Sequence, residues 1–517
     1  MKCPRNPLLA VIFVIAFSAL GFSSATNVYI TPNGASQGTC TTNPQPPAWF
    51  NSPSNWGGGS SQIGPGTTVL LCGTITTALT AQGSGSSGSP VTILFDTGAS
   101  ITTNCTGVGC LAVTNKSYIV VDGGSTCGWI NQAQVACNGT VQSSLAQPAG
   151  SQFGIDATSC SNCEFRNMNI GPIYTKASGG NEPTGDIRGI QTLPSSGSGT
   201  YLVHNNIIHD TSSAIVYVPK GSNDNGFQAY NNVTYNINSS VDISNNNNGM
   251  LTAALVHDNH FGSTANWDNT GCPDHHNSLH AFAYTTTNSG IDYYNNLIDG
   301  DWGNCPTSGL FIEGSGSINR NVRVFNNLWL TTYTQENNGV VSVTAGGYLR
   351  FYNNTIIGAG NSDTCLGING TSGTTVYIEN NIVSNCNTLF ETSSVGTFAA
   401  VDYNLYGGNN TNPWTDQGIP AWYPTLSQWQ AHCKCDAHSS FGAASTYVQV
   451  NSNGTLQAGS PAIGAGANLT SLGIAALDSD IAGNPRSGGS TPWDDGAYNF
   501  NTNPPPAPPT GLSAIVN

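Results

Sequence analysis

Short stretches in which apolar and polar residues alternate recur through the middle of the chain, and each is followed by a turn rich in asparagine. Examples are YLVHNNIIHD at 201–210, VRVFNNLWL at 322–330 and VYIENNIVSN at 376–385. Alternation with a period of two predicts half-buried β-strands, whereas no run keeps the helical period of about 3.6 residues over several turns. The pattern therefore predicts an all-β chain in which pairs of short strands flank an Asn turn.

The strand–turn–strand unit repeats. The repeat is marked by one asparagine in each turn, at Asn206, Asn232, Asn259, Asn296, Asn327, Asn354, Asn381 and Asn404, with an earlier copy at Asn167. Half of the eight successive gaps are 26 or 27 residues, and this period lies in the range of stacked-repeat folds. Each period has room for a third strand, such as AIVYV at 214–218. Three short strands with their turns make one coil of a parallel β-helix, which is the predicted fold; a β-propeller would need a longer, four-stranded unit.

Asparagine has two properties that suit such a turn. It tolerates the left-handed backbone conformation that a tight turn needs, and its side chain can hydrogen-bond to the next asparagine when turns are stacked. We therefore expect asparagine side chains to bond to one another between coils.

The first 25 residues resemble a secretory signal peptide. Lys2 and Arg5 precede an apolar run that extends from Leu8 to Leu20, and small residues lead up to Ala25. The chain has 15 cysteines, and an even number remains once Cys3 in the predicted signal is set aside. In an exported chain this predicts disulfide bonds. The pairs expected from proximity in the sequence are Cys40 with Cys72, Cys127 with Cys137, Cys272 with Cys305, and Cys365 with Cys386.

The small number of basic residues limits the kinds of partner that we expect. The net charge is −15 with only 12 lysines and arginines, whereas a nucleic-acid-binding protein would present a basic stripe. We expect no nucleic-acid partner, no membrane span in the mature chain, and a monomer. The predicted organisation is a signal peptide at 1–25, a β-helix domain at 26–500 (entry and first coils 26–150, regular coils 151–410, closing segment 411–500) and a Pro-rich, linker-like tail at 501–517.

Several segments at the two ends of the predicted domain resemble a known family. NVYITPNGASQGTC and IGPGTTVLLCGTIT near its start, and TLSQWQAHCKCDAHS and WDDGAYNF near its end, are similar to the entry and closing segments of right-handed parallel β-helix proteins of the pectin-lyase-like superfamily, in secreted bacterial form. The resemblance covers most of the mature chain and implies the fold. It also implies polysaccharide as the partner, since the superfamily is rich in polysaccharide lyases and glycosidases, although it includes adhesins. The paired-Asp and Gly-His-Gly signatures of polygalacturonases and the Arg-rich motif of pectate lyases are not found in the sequence.

Three coils are longer than the others, and in each the extra residues fall just before the third strand. The insertions are roughly 171–187, 262–278 and 298–308. Loops at equivalent positions stack on one side of a solenoid, and long loops on a rigid scaffold are where binding and catalytic residues concentrate. Since two coils with short loops separate the first insertion from the second, we expect a groove with a low floor and a wall on each side.

The side chains predicted on this side of the molecule include two carboxylates with a histidine between them. Adjacent coils are about 4.8 Å apart, which puts Asp242 and Glu313 roughly 10 Å apart, with His280 between. Inverting glycosidases hold two carboxyl groups about 6.5–9.5 Å apart. Asp242 and Glu313 are therefore the predicted base and acid, with His280 tuning their pKa values. The predicted substrate-binding residues are Asp186, Arg188, Lys220, Asp274, His275, His276 and Trp302.

Three functions remain open at this point. Hydrolysis of a polysaccharide is favoured and requires no cofactor. A lyase would use Arg188 or Lys220, with a Ca²⁺ ion held by Asp186 or Asp242. A glycan-binding or adhesin-type surface protein would need no catalytic group. A metal site in the His-rich insertion is left open, although its residues lack a fixed spacing. The charged residues of the closing segment are interpreted as turn and cap residues of the last coil, namely Asp436, His438, Asp478, Asp480, Arg486, Asp494 and Asp495.

Overall fold

The computed structural model describes residues 24–501 apart from 148, 177–182, 184, 194–198, 219–223, 245–250, 269–275, 284–288, 306, 315–318, 332–338, 345, 361–363, 370–372, 409–410 and 487–490. Most of the predicted signal peptide and tail lie outside the described residues. So do three of the predicted substrate-binding residues, Lys220, Asp274 and His275.

The chain forms a parallel β-helix, as the repeat predicts. Its first sheet has 13 strands, each paired in parallel with the strand one coil later. These strands, which precede the Asn turns in the regular coils, are Asn27–Ile30, Thr68–Leu71, Val91–Phe95, Ile119–Asp122, Cys163–Arg166, Tyr201–His204, Asp224–Tyr230, Leu251–His257, Ser289–Tyr294, Asn319–Phe325, Gly346–Tyr352, Thr375–Glu379 and Phe398–Asp402.

The other two strands of each coil stack into two further parallel sheets, which we call the second and third sheets. These two sheets are joined into one continuous set of 24 strands because Ile207–Tyr217 and Val233–Ser244 run through the corner and belong to both. The other strands of the second sheet are Thr74–Ile75, Ser100–Thr103, Gly139–Ser143, Met168–Ile170, His260–Phe261, Leu297–Gly300, Leu328–Thr331, Thr355–Ile357, Ile382–Ser384, Leu405–Gly407 and Ser440–Gly442. Those of the third sheet are Leu79–Thr80, Leu111–Ala112, Gln152–Asp156, Ile187–Thr192, Asn277–Ala283, Leu310–Gly314, Val341–Thr344, Thr364–Ile368, Thr388–Thr392, Trp414–Asp416 and the antiparallel Ala421–Tyr423.

Few helices accompany the sheets. The α-helices of the described chain are Pro47–Phe50 and Leu426–Cys433, and short 3₁₀ turns occupy Pro53–Asn55, Ala265–Trp267, Val395–Thr397, Ser445–Val448, Thr470–Leu472 and Ala475–Asp478. A separate hairpin pairs Gly128–Ile130 with Ala133–Val135. No helix among the described residues is long and apolar enough to span a membrane.

The marker asparagines form the expected ladder. The amide oxygen of Asn296, for example, accepts bonds from the backbone N–H of Asn259 at 3.1 Å and from its Nδ2 at 3.0 Å. The same pair of bonds links every neighbouring pair of markers from Asn206 to Asn404. The residue before each marker adopts the left-handed conformation. At Asn231, Asn295 and Asn380 its side chain also donates a hydrogen bond to the same position of the preceding coil.

The marker position predicted for Asn167 is wrong. Asn167 has a φ of 59° and occupies the left-handed position. Met168 follows it and donates its backbone N–H to the Asn206 amide oxygen at 3.0 Å, as a ladder residue does. The ladder therefore starts at Asn206, and the first insertion is one residue shorter than the marker spacing implies.

A buried carboxylate closes the other end of the ladder. Asp436 is fully buried and accepts bonds from Asn404 Nδ2 at 3.2 Å and from Trp429 Nε1 at 2.8 Å. Burial raises the pKa of Asp436 to about 6, although the hydrogen bonds that it accepts oppose this. The interpretation of Asp436 as a cap residue agrees with these contacts.

The closing segment does more than cap the last coil. It runs back along the Asn turns, where Asn380 Nδ2 donates to the Ala467 carbonyl at 2.8 Å and Arg486 Nη2 donates to Asn326 Oδ1 at 2.9 Å. Tyr498 reaches as far as Gln132, at 3.1 Å. The assignment of this part of the segment to the last coil is therefore wrong, because the segment lies against much earlier coils. The predicted turn role agrees with Asp480, whose Oδ1 accepts the backbone N–H groups of Ala482 and Asn484. The charged residues concerned are Asp478, Asp480, Arg486, Asp494 and Asp495.

Disulfide bonds join cysteines that are close in sequence. Among the described residues they link Cys40 to Cys72, Cys105 to Cys110, Cys127 to Cys137, Cys160 to Cys163, Cys365 to Cys386 and Cys433 to Cys435. Three of the four predicted pairs are confirmed. Cys305 is disulfide-bonded as well, but its predicted partner Cys272 lies outside the described residues.

Candidate functional site

One row of residues on the third sheet carries the predicted catalytic pair. Val216, Asp242, His280 and Phe311 are register partners in successive strands. Residues on either side of this row, such as Leu279, are buried in the core. Side chains alternate between the two faces of a strand, so Asp242 and His280 lie next to each other on the outer face.

Glu313 approaches His280 from a position that the sequence does not indicate. Its register partner is Phe282, whereas Phe311 stands opposite His280. Glu313 is thus two residues out of line with Asp242, and their Cα atoms are about 12 Å apart by strand geometry. Its side chain nevertheless reaches back, since Glu313 Oε1 lies 3.2 Å from His280 Nε2. The histidine therefore stands between the two carboxylates, as expected.

The three side chains differ in their surroundings. Asp242 is half-buried and accepts a hydrogen bond of 2.6 Å from Ser239 Oγ. The His280 ring is held against Phe282 and Phe311, with ring centroids 4.7 Å and 5.2 Å away. The Glu313 side chain keeps 35% of its surface exposed. One carboxylate is therefore fixed by a serine, and the other is anchored to a rigid imidazole and remains open to solvent.

Arg188 belongs to the same outer face but is already paired. Its guanidinium lies 3.1 Å from Asp186 Oδ1 and also donates to the Gln191 side chain. Gln191 is the register partner of Val216, so the arginine lies two strands away from Asp242. A guanidinium held by a carboxylate is a poor proton acceptor. These contacts suit a structural role for Arg188 better than that of a base.

Two predicted substrate-binding residues are buried. The Trp302 side chain is fully inaccessible and donates from Nε1 to the Asp299 carbonyl at 2.8 Å. His276 is equally buried, and its Nδ1 lies 3.7 Å from Asp268 Oδ1. Neither ring has an accessible surface in the structure, so the burial of Trp302 and His276 does not support the prediction that they contact substrate. Each of them makes its cited contact within its own insertion.

The described parts of the first two insertions do not form two separate walls. Lys176 of the first insertion donates to the Asp268 carbonyl of the second at 3.1 Å and lies 5.8 Å from the Trp267 ring centroid. Trp267 is itself tied to the floor by a 2.8 Å bond from Nε1 to the Asn236 carbonyl. The expected open groove is therefore bridged at this corner, because the described parts of the two insertions meet over the short coils.

Asp268 also joins the third insertion. Its carboxylate accepts the backbone N–H of Asn304 at 2.7 Å and that of Cys305 at 3.1 Å. One residue thus contacts all three insertions: its carbonyl binds the first, its carboxylate the third, and its backbone belongs to the second. Sequence reasoning missed Asp268 and Ser239. Ser239 lies three residues before Asp242, but the sequence gives no signal for Asp268 beyond its place in an insertion.

Gly303 allows this junction to form, and we expect Gly303→Ala to weaken it. The glycine has a φ of 74°, and a Cβ atom there would lie 2.5 Å from both Asp268 carboxylate oxygens. The substitution should lower the free energy of unfolding by about 1–3 kcal/mol beyond the cost of its backbone strain. Thermal denaturation of Gly98→Ala is the matched control, since Gly98 also has a φ of 74° but open space around it. Equal losses in the two variants would show that the Asp268 contact is unimportant.

The described residues hold no convincing metal centre. The one group of metal-ligating side chains that lies close together is Cys433, Cys435 and Asp436. The two cysteines form a disulfide bond, so they lack the thiolates that bind metal ions.

The fold and the site define a parallel β-helix protein with an Asp–His–Glu group on the outer face of one sheet. No protein-family model matches the chain, and no curated protein matches it.

Proposed function

We propose that the protein is an exported enzyme that hydrolyses glycosidic bonds in a polysaccharide. The observation that carries this proposal is the 3.2 Å contact between His280 and Glu313 beside Asp242, on an outer face that borders the insertions. Two carboxylates on one face, too far apart to contact each other directly, are the minimal equipment of an inverting glycosidase.

The surroundings of each carboxylate suggest its role. Glu313 is partly exposed and hydrogen-bonded to His280, so it is the general acid that donates a proton to the glycosidic oxygen as the bond to the anomeric carbon breaks. Asp242, oriented by Ser239, is the base that takes a proton from the attacking water. His280 fixes the position of Glu313 whichever of the two carries the proton. No metal or cofactor is needed for this reaction.

Membership of the pectin-lyase-like superfamily and export from the cell are parts of the same proposal. The parallel β-helix agrees with the resemblance in the end segments, and the disulfide bonds suit a protein that acts in an oxidising compartment. The pairing of Arg188 with Asp186 argues against Arg188 as the base of a lyase, since elimination requires an accessible base, whereas the alternative base Lys220 lies outside the described residues.

Incubation of the purified protein with a panel of polysaccharides tests the proposal. We expect new reducing ends without the ultraviolet absorbance of unsaturated uronates, and a product whose anomeric configuration is inverted in its NMR spectrum. Reducing ends together with that absorbance would establish a lyase. Binding of a glycan without any cleavage would establish a binding or adhesin-type protein, and either result would overturn hydrolysis.

A further inference from the structure

The row that contains Asp242 and His280 continues across the third sheet to the end of the β-helix. Beyond Phe311, successive register partners are Ser342, Gly367, Glu391 and Thr415. The last of these pairs with Trp422 in the antiparallel strand Ala421–Tyr423. Because register partners share a face, Trp422 lies on the same outer face as His280. Six strand spacings, about 29 Å, separate the two residues.

Trp422 is unusual among the tryptophans of the described chain. Its side chain is 57% exposed, whereas the largest fully buried side chains include the six tryptophans at 267, 302, 329, 414, 429 and 493. A tryptophan that leaves this much apolar surface in water has a flat face available for stacking. Trp422 belongs to Ala421–Tyr423, which pairs antiparallel with the last parallel strand of the third sheet. This hairpin extends the row of register partners by one position.

The accessible groups between His280 and Trp422 are polar, and most of them lie beside the row. Within the row, Ser342, Gly367 and Thr415 are buried and offer no contact to a ligand. Beside them Thr344, the register partner of Glu313, and Asn369 are half-exposed. Glu391, also half-exposed, accepts a hydrogen bond from Gln417 at 3.1 Å. Hydroxyl, amide and carboxylate groups of this kind bond to sugar hydroxyl groups.

The charge of this path restricts the ligand. Its described members carry the carboxylates Glu313 and Glu391 and no lysine or arginine, and Arg188 at the far side of Asp242 is paired with Asp186. The whole chain has a net charge of −15. A polyuronate would meet repulsion along such a path, whereas an uncharged glycan would not.

We propose that the outer face of the third sheet from His280 to Trp422 binds an extended, uncharged polysaccharide chain, with Trp422 stacking on a sugar ring at the far end. This inference rests on the proposed function, since it takes a glycan as the substrate, but it does not depend on which residue transfers the proton. It makes the protein selective for long chains, because only an oligomer that spans about 29 Å touches both His280 and Trp422.

Binding measurements by calorimetry on the Asp242→Asn variant, which is designed not to cleave its ligand, test the inference. The probes are oligomers of two and eight units of β-1,4-linked glucose, xylose and mannose, and oligogalacturonates of the same lengths. We expect an uncharged octamer to bind more tightly than its dimer and than any oligogalacturonate. Adding Trp422→Ala should weaken binding of the octamer about 5- to 10-fold, the range expected of one aromatic contact, and leave the dimer unchanged.

Two controls separate the possible causes. Trp422→Phe keeps a ring and should retain most of the octamer affinity, and Tyr348→Ala removes an aromatic side chain of the first sheet that is 50% exposed. Unchanged octamer binding by Trp422→Ala, or preferred binding of oligogalacturonates, would overturn the inference even if the wild-type protein is a hydrolase. Conversely, Trp422-dependent binding in a protein that cleaves nothing would leave this glycan path intact and refute only the proposed catalysis.

Discussion

Replacing Asp242 with Asn is expected to lower the turnover number on a polysaccharide substrate about 10³-fold. A positioned general base contributes on the order of 10²–10⁴ in rate, and an amide cannot accept the proton of the attacking water. Asparagine retains an oxygen for the 2.6 Å hydrogen bond from Ser239, so the fold and substrate affinity should be preserved. Steady-state kinetics with a thermal denaturation curve for each variant would show a fall in kcat with little change in KM or Tm.

Asp258→Asn is the matched control for this experiment. Asp258 lies in a turn between the first and second sheets, at the left-handed position that Asn231 and Asn295 occupy in neighbouring coils. Its replacement makes the same chemical change away from the third sheet, so kcat should stay within about twofold of the wild type. A wild-type kcat for Asp242→Asn, or an equal loss in both variants, would mean that Asp242 is not the base.

The repeat makes much of the fold predictable from sequence. Each marker asparagine lies in the same local pattern. Because each strand pairs with the equivalent strand of the next coil, the positions of the markers give the register between the two strands. The neighbours Asp242 and His280 can therefore be identified by counting residues between markers. The pattern misplaces Asn167 because two adjacent positions of the turn have different roles. Asn167 occupies the left-handed position and Met168 the ladder position, and the sequence does not show which of the two positions a single asparagine occupies.

The parts of the site that sequence cannot predict depend on contacts between loops. Glu313 follows the third insertion, whose extra residues hide where the strand resumes, and it is displaced by two residues as a result. The bridging of the insertions depends on Asp268, whose partners Lys176 and Asn304 are far from it in the chain. Trp302 is wrongly predicted to be a surface residue because the direction of a side chain in an irregular loop has no periodic signal. Its burial follows from packing in the core.

We expect Asn296→Leu, a change at the middle of the Asn ladder, to cause a large loss of stability. The substitution fills a similar volume, so the effect comes from hydrogen bonds. The backbone N–H of Asn259 and one N–H of its amide lose their acceptor, and the Val256 carbonyl loses a donor at 3.0 Å. Each unsatisfied buried group costs about 1–3 kcal/mol, so the free energy of unfolding should fall by roughly 3–6 kcal/mol.

Asn295→Gly provides the matched comparison, since it changes an asparagine of the same turn that lies outside the ladder and makes one side-chain hydrogen bond between coils, to Asp258 Oδ1 at 3.1 Å. Asn295 has a φ of 54°, which glycine adopts without strain. Guanidinium denaturation followed by circular dichroism should show a change within about 1 kcal/mol for Asn295→Gly. Since each coil contacts only its neighbours, the Asn296→Leu defect is local, and hydrogen exchange should quicken first in the strands next to residues 259 and 296. Equal free energies of unfolding in the two variants would show that the ladder is not the main stabilising interaction at this turn. The apolar side chains stacked inside the coils would then have that role.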